Sequence, residues 1–226
     1  MKTKGKGRHF AFANAPVAPI RYLTEISSHV KAHFGSDIFV LHEKKSNLVH
    51  VDVHVAMPNT SRPYFTLMTS GMSDLPMTTP SGLEGLAFAE VCLCLPMEWP
   101  IRRKHMRWAE PEYFWPIAVL KDAAKYPHRQ KTWFSWGHTV GSLEYPEPLD
   151  PSGRFVGLYL APPATLPQGA EKITIESGPE INLLAVIPLT YKEFAFARAH
   201  SGDLLDEKLI EANITELLDP LRKSVV

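Results

Sequence analysis

Cysteine is nearly absent: Cys92 and Cys94 are the only two in 226 residues. Two positions apart on a strand, they share a face about 6.6 Å apart along the chain, a poor geometry for a disulfide. With no third cysteine to pair with, no disulfide cross-link is expected, and a reduced, cytoplasmic setting is the simplest inference. Net charge is missing too. Lys+Arg number 24 and Asp+Glu 24, a formal sum of zero, which argues against a nucleic-acid or membrane surface spread over the whole protein. No apolar run approaches the ~18 residues needed to cross a bilayer. There is no Gly-x-Ser-x-Gly elbow, no phosphate-cradling P-loop and no dinucleotide fingerprint. Internal repeats and low-complexity linkers are absent as well.

What remains is a folded globular composition, 45% hydrophobic and 21% charged, in a length that suits one domain. The 20 prolines favour short strands and abrupt loops over a long-helix bundle. Lys2, Lys4, Lys6 and Arg8 precede Phe10-Ala11-Phe12-Ala13-Asn14-Ala15. That apolar part is shorter than the ~7–15 residues of a secretory signal and lacks a leucine run. Residues 1–15 therefore read as a flexible basic tail and residues 16–226 as the domain.

Periodicity lays out the elements. Ile20, Leu23, Ile26, Val30 and Phe34 recur at helical spacing up to Gly35, which is placed to end the helix. Ile38 to Leu41 reads as a strand. From Leu48 to Met57, Val49, Val51, Val53 and Val55 alternate with His50, Asp52 and His54, so the valines should face the core and the polar residues the other side. Tyr64–Met68 and Phe88–Leu95 are further strands, close enough in sequence to be antiparallel. Tyr113–Tyr126 is predicted helical, with Pro116 in its first turn and Pro127 as its stop. Thr132–Val140 is predicted extended, and Glu144–Ser152 is a proline-rich loop. Phe155–Ala161, Lys172–Ile175 and Ile181–Ile187 complete the strands. Two helices follow, Tyr191–His200 and Asp203–Leu218. Segregated strands and helices in this order make the fold α+β: a single domain with a mixed, largely antiparallel sheet flanked by helices.

Between the third and fourth of these strands lies Thr69-Ser70-Gly71-Met72-Ser73-Asp74-Leu75-Pro76-Met77. Gly71 permits a positive φ, Pro76 removes a donor, and Ser73 and Asp74 can bond neighbouring amides, so the chain should turn out of the sheet here. A well-built loop explains these residues without any function. His50, Asp52 and His54 are the sharpest chemical set, since His and Asp are ordinary zinc or iron ligands. The outer two lie about 13 Å apart on an ideal strand, however, and a half-exposed strand shows the same polar face without a metal. Ser70, Ser73, Asp74 and His138 can be drawn as a nucleophilic set, but one sequence carries no triad geometry. Arg102, Arg103, Lys104, His105, Arg107 and Trp108 form one basic aromatic cluster able to grip phosphates. Flanking Glu98, Glu110 and Glu112 make a solvated loop, or a surface for an acidic protein segment, an equal account. Trp133-Phe134-Ser135-Trp136-Gly137-His138, if extended, puts Phe134 and Trp136 on one face, and an exposed tryptophan there would be an interface anchor. Cys92 and Cys94 alternate with apolar positions and read as inert packing groups.

The nine-residue stretch at 69–77 resembles the signature of the suppressor-of-fused domain. Other blocks are similar to that family in order. They are Ala89-Glu90-Val91-Cys92-Leu93-Cys94-Leu95-Pro96 with Trp99, and Trp115-Pro116-Ile117 through Leu120-Lys121-Asp122. Thr132-Trp133-Phe134-Ser135-Trp136-Gly137-His138-Thr139 follows, then Ile181-Asn182-Leu183-Leu184 to Ile187-Pro188-Leu189. The likeness runs from about Ile20 to about Leu218. It implies a domain that binds another protein or peptide, with no enzyme activity, no cofactor, and neither nucleic acid nor membrane as partner. Ser70, Gly71, Met72, Ser73, Asp74, Met77, Trp133, Trp136 and His138 are the candidate partner-binding residues. Longer animal members carry a second domain, and the pair clamps an extended peptide. Compact bacterial-type members, which this chain resembles in length, imply an immunity protein neutralising a cognate toxin. The alternative reading is a metal-dependent hydrolase on the His50/Asp52/His54 strand face.

Overall fold

The computed structural model describes residues 19–46, 48–101 and 109–226. The tail proposed for 1–15 and the basic cluster Arg102–Trp108 lie outside them. Helix α1 spans Leu23–Phe34 and buries Ile26, Val30 and Phe34; Gly35, at φ 89°, ends it by donating its N–H to Lys31 O. Strands β1 (Ile38–Leu41), β2 (Asp52–Ala56), β3 (Tyr64–Ser70) and β4 (Ala89–Pro96) follow as an antiparallel meander. Helix α2 covers Pro111–Gln130, and β5 (Thr139–Gly141), β6 (Phe155–Ala161), β7 (Lys172–Thr174) and β8 (Glu180–Thr190) complete one sheet in the order β1-β2-β3-β4-β8-β6-β5, with β7 also on β8. Helices α3 (Tyr191–Ala199) and α4 (Gly202–Glu211) come last. The meander joins the rest through one parallel seam, β4 on β8, where Ala89 stands against Asn182 and Cys92 against Ala185.

Both faces of the sheet are covered, which sets the chemistry of everything on it. Val51, Val53, Val55, Leu67, Val91 and Leu93 pack with Ile117, Leu120 and Ala124 of α2. The opposite face packs Ala56, Met68 and Leu183 against α1, and Cys92, Tyr159 and Ile187 against α3 and α4. Cys92 and Cys94 are free thiols inside this sandwich; burial pushes the Cys94 thiol up to about 12, so it carries no thiolate at neutral pH. Among the described residues no helix is long and apolar enough to cross a membrane.

Three expectations need correction. Pro127 does not stop α2, and Pro116 lies beyond its first turn. The helix begins with Pro111 in the first helical position and runs through both prolines to Lys131, whose φ of 51° provides the left-handed cap. A helical proline forfeits one bond, and here the burial of both rings offsets that loss. The aromatic segment is extended only at Thr139–Gly141, because Gly137, at φ 81°, closes a turn in which His138 N–H donates to Ser135 O. Helix α4 ends at Glu211 rather than near Leu218. Asn213 takes φ 54°, and the following chain docks on the end of β4, with Cys94 N–H donating to Glu216 O and Leu218 N–H to Cys94 O.

The end of the chain is held by a buried ion pair. Glu193, fully buried, accepts from both guanidinium nitrogens of Arg222, from Thr190 N–H and from Val225 N–H. Burial works against this carboxylate, but Arg222 and the Thr190 and Val225 amides together outweigh it and hold the group below its usual range.

Candidate functional site

Thr69 and Ser70 finish β3, and Gly71 then turns the chain at φ 108° into a single 3-10 turn, Met72–Asp74. The hub of this loop is Glu90, on the neighbouring strand and fully buried. Its Oε1 accepts from Gly71 N–H at 2.9 Å, Ser73 N–H at 3.0 Å and Ser73 Oγ–H at 2.6 Å, while Oε2 lies 2.6 Å from Thr69 Oγ1. Burial pushes the Glu90 carboxyl up; the Ser73 and Thr69 hydroxyls and the loop amides pull it back without cancelling that effect. The sequence pattern places Glu90 on a face with the two cysteines and assigns it no task. The available signal is an acid in the middle of a strand otherwise apolar or thiol-bearing. Helix α2 reaches the same loop through the His128 ring, 2.8 Å from Met72 O.

Of the loop residues singled out in the sequence, Ser70, Gly71, Met72, Ser73 and Met77 are buried, and Asp74 is half-buried with its Oδ1 accepting from Arg21 N–H at 2.9 Å. Leu75 is the loop's exposed large apolar residue.

The strand face His50/Asp52/His54 is no solvent-facing stripe. Asp52 and His54 are buried, because α1 covers their side of the sheet. The groups also turn to different partners. Asp52 takes His42 Nδ1 at 2.6 Å, His50 Nε2 at 2.7 Å and Glu43 N–H at 2.7 Å, whereas His54 Nε2 meets Ser70 Oγ at 3.1 Å. Burial works against the Asp52 carboxylate, but the Glu43 amide and the two imidazoles outweigh it and hold it below the usual range. Glu43 in turn binds Lys125 of α2 and Val51 N–H. Among the described residues no group of three His, Cys, Asp or Glu could hold a metal ion. The set is a hydrogen-bonded structural network, not a convergent ligand cage.

His54 carries a pH prediction. Burial lowers its imidazole from 6.5 to about 4, with Asp52 pulling the other way and His42 adding to the fall. Between those values the unfolded chain binds a proton that the folded one refuses, so the contribution of this group is full above about pH 6.5 and is lost as pH drops toward about 4. The loss is on the order of 3 kcal/mol. Urea midpoints at pH 7, 6 and 5 should differ less in His54→Gln than in the parent, since His29 and His128, also lowered by burial, keep part of the slope; an equal slope in that variant refutes the assignment.

The aromatic segment builds the open part of the molecule. Phe134 is buried and stacks on Tyr126 of α2 with centroids 5.7 Å apart, while Trp136 is 53% exposed, so the turn separates two rings expected on one face. Trp133 and His138, both half-buried, meet edge to face at 4.7 Å. Beside them β5 ends the sheet, with a neighbouring strand on one side only among the described residues. Two clefts border β5. One, about 490 Å³, is lined by Gln130, Trp133, His138 and Thr139 and, from α3 and α4, Arg198 and Gly202. The other, about 600 Å³, is lined by Val119 and Ala123 of α2 with Tyr145, Leu149, Val156 and Leu158. Tyr126 and Val140 line both, so the clefts adjoin at β5. A strand at the end of the sheet, bordered by an apolar and a polar cleft, can take up an extended peptide.

Comparison with known proteins bears on the fold and the family. No curated protein sequence matches the chain. A crystal structure of a suppressor-of-fused homologue from Neisseria gonorrhoeae FA 1090 is similar at a TM-score of 0.63 and 21% identity, over 91% of this chain and 97% of that one. A chain of the Sufu–Fu complex is similar at 0.60 and 13% identity, over 93% of each. Drosophila Suppressor of Fused is similar at 0.61 and 14% identity over 92% of this chain, which spans 52% of that longer protein. These likenesses are of fold. The family model for suppressor of fused protein matches residues 47–223, and the chain therefore belongs to the suppressor-of-fused family.

Proposed function

We propose that this domain is a non-catalytic module that binds another protein by taking an extended segment of it along β5. The observation that carries the reading is the one-sided strand flanked by two clefts that share Tyr126 and Val140. Main-chain pairing supplies affinity in such an arrangement, and alternate side chains entering the two clefts supply selectivity. Trp133 and His138 line the polar cleft, and exposed Trp136 adjoins it in the same turn, which makes these three the partner-facing residues. Ser70, Gly71, Met72, Ser73 and Met77 are enclosed and act by holding the loop's shape, while Asp74 stands at its margin. The Sufu–Fu complex supports a protein partner, since a relative of the same fold is there bound to another protein. The narrower reading, an immunity protein whose partner is a toxin, rests on the resemblance to compact bacterial-type members of the family; the Neisseria homologue, matched over 97% of its length, supplies the likeness in size and fold. Two buried, free cysteines support a cytoplasmic site of action.

The test is capture of the partner that co-purifies from the native host. Val140→Arg places a long charged side chain where the clefts meet. It should weaken capture at least about 30-fold, the scale of an interface anchor lost, with circular dichroism and unfolding midpoint unchanged. Full binding by that folded variant, or turnover of a small molecule abolished by one ionisable substitution, overturns the reading.

A further inference from the structure

On α1, away from β5, His29 and His33 stand one helical turn apart with ring centroids 4.4 Å from each other. Four-residue spacing on a helix brings two imidazoles to one face, the arrangement that chelates late first-row divalent cations. His29 Nε2 lies 3.1 Å from the carbonyl oxygen of Ala170. A carbonyl only accepts, so Nε2 carries the proton and Nδ1 keeps its lone pair. A backbone carbonyl holding one ring nitrogen while the other stays bare is the support that metal-ligating histidines generally have. The His33 ring rests over the same connection, its Cε1 3.5 Å from where Gly169 would carry a Cβ. Glu171, exposed and in no ion pair among the described residues, follows in that connection and acts electrostatically on His29.

We infer that His29 and His33 form a two-histidine site for a divalent cation of the zinc class on the α1 surface. Among the described residues no three donors converge as the side chains stand. The protein thus supplies two imidazoles, Glu171 is the third ligand available to turn in, and water completes the shell. A cation held there ties α1 to the connection before β7.

Titration calorimetry of the full chain with Zn²⁺ alone tests this, with Ni²⁺ as a second probe. One equivalent should bind and raise the unfolding midpoint. His33→Gln and His29→Gln should each weaken binding by at least about tenfold, and Glu171→Gln by a smaller factor. His42→Gln is the control, because it removes an exposed imidazole elsewhere, and it should bind like the parent. No heat and no midpoint shift at millimolar Zn²⁺ overturns the site. So does binding that survives His33→Gln, or that is lost in His42→Gln.

Discussion

Replacing Gly71 with alanine should cost the domain roughly 4 kcal/mol or more, the range reserved for backbone clashes and strain that packing cannot relieve. A Cβ at this position would sit 1.8 Å from the carbonyl oxygen of His50, far inside van der Waals contact, at a φ of +108° that side chains rarely adopt. The obstacle is main chain just ahead of β2, so no rotamer change clears it. Moving the loop instead would pull Gly71 N–H and Ser73 N–H off Glu90. The unfolding midpoint in urea, followed by far-UV circular dichroism, measures the effect. A Gly71→Ala protein within about 1 kcal/mol of the parent would mean that the loop rearranges freely and that Glu90 does not fix its shape.

Glu90→Ala should be nearly as damaging, about 3–5 kcal/mol, as expected when a buried polar group's partners are stranded. Two loop amides and two hydroxyls meet this one carboxyl, at a residue with no exposed surface. Glu90→Gln keeps an acceptor oxygen for the loop and places an amide donor near Thr69 Oγ1, so its cost should be less than half as large. The pH dependence distinguishes the two. Burial raises the Glu90 carboxyl in the fold, so its stabilising contribution is complete below the unfolded value near 4.5 and is lost as pH rises through the higher folded value. The amide in the variant does not titrate. The gap between parent and Glu90→Gln should therefore narrow as pH rises from 4 upward, and a gap that widens instead would mean the carboxyl is held ionised.

Much of the core was legible because alternation and helical spacing are written directly in apolar residues. The valines of β2 face α2 as their period requires, and Ile38–Leu41 and Phe155–Ala161 are strands at the limits read from the sequence. What one chain's pattern could not show was the second layer. Asp52 and His54 looked like an exposed polar face because alternation marks two sides of a strand, not whether something covers the second. The meaning of α1's apolar stripe, which covers that same side, becomes visible only when both elements are placed together. Helix ends failed for a related reason. Pro127 and Asn213 act through local φ and burial, and composition alone assigns neither. The chain does turn out of the sheet at Gly71, but the hub of that turn lies 17 residues past Ser73 on a neighbouring strand, and such pairing is a tertiary fact.

The parallel seam has a bearing on biosynthesis. Strands β1 to β4 leave the ribosome as a finished meander, yet β4 borders β8, whose first residue, Glu180, emerges only after the whole of α2, β5 and β6. Until then the nascent chain carries an apolar ribbon with raw amides and carbonyls along Ala89–Cys92, the kind of exposed border that recruits neighbouring chains. Holdase chaperones should engage this polypeptide during that interval, and truncations before Glu180 should precipitate where the full chain stays dissolved.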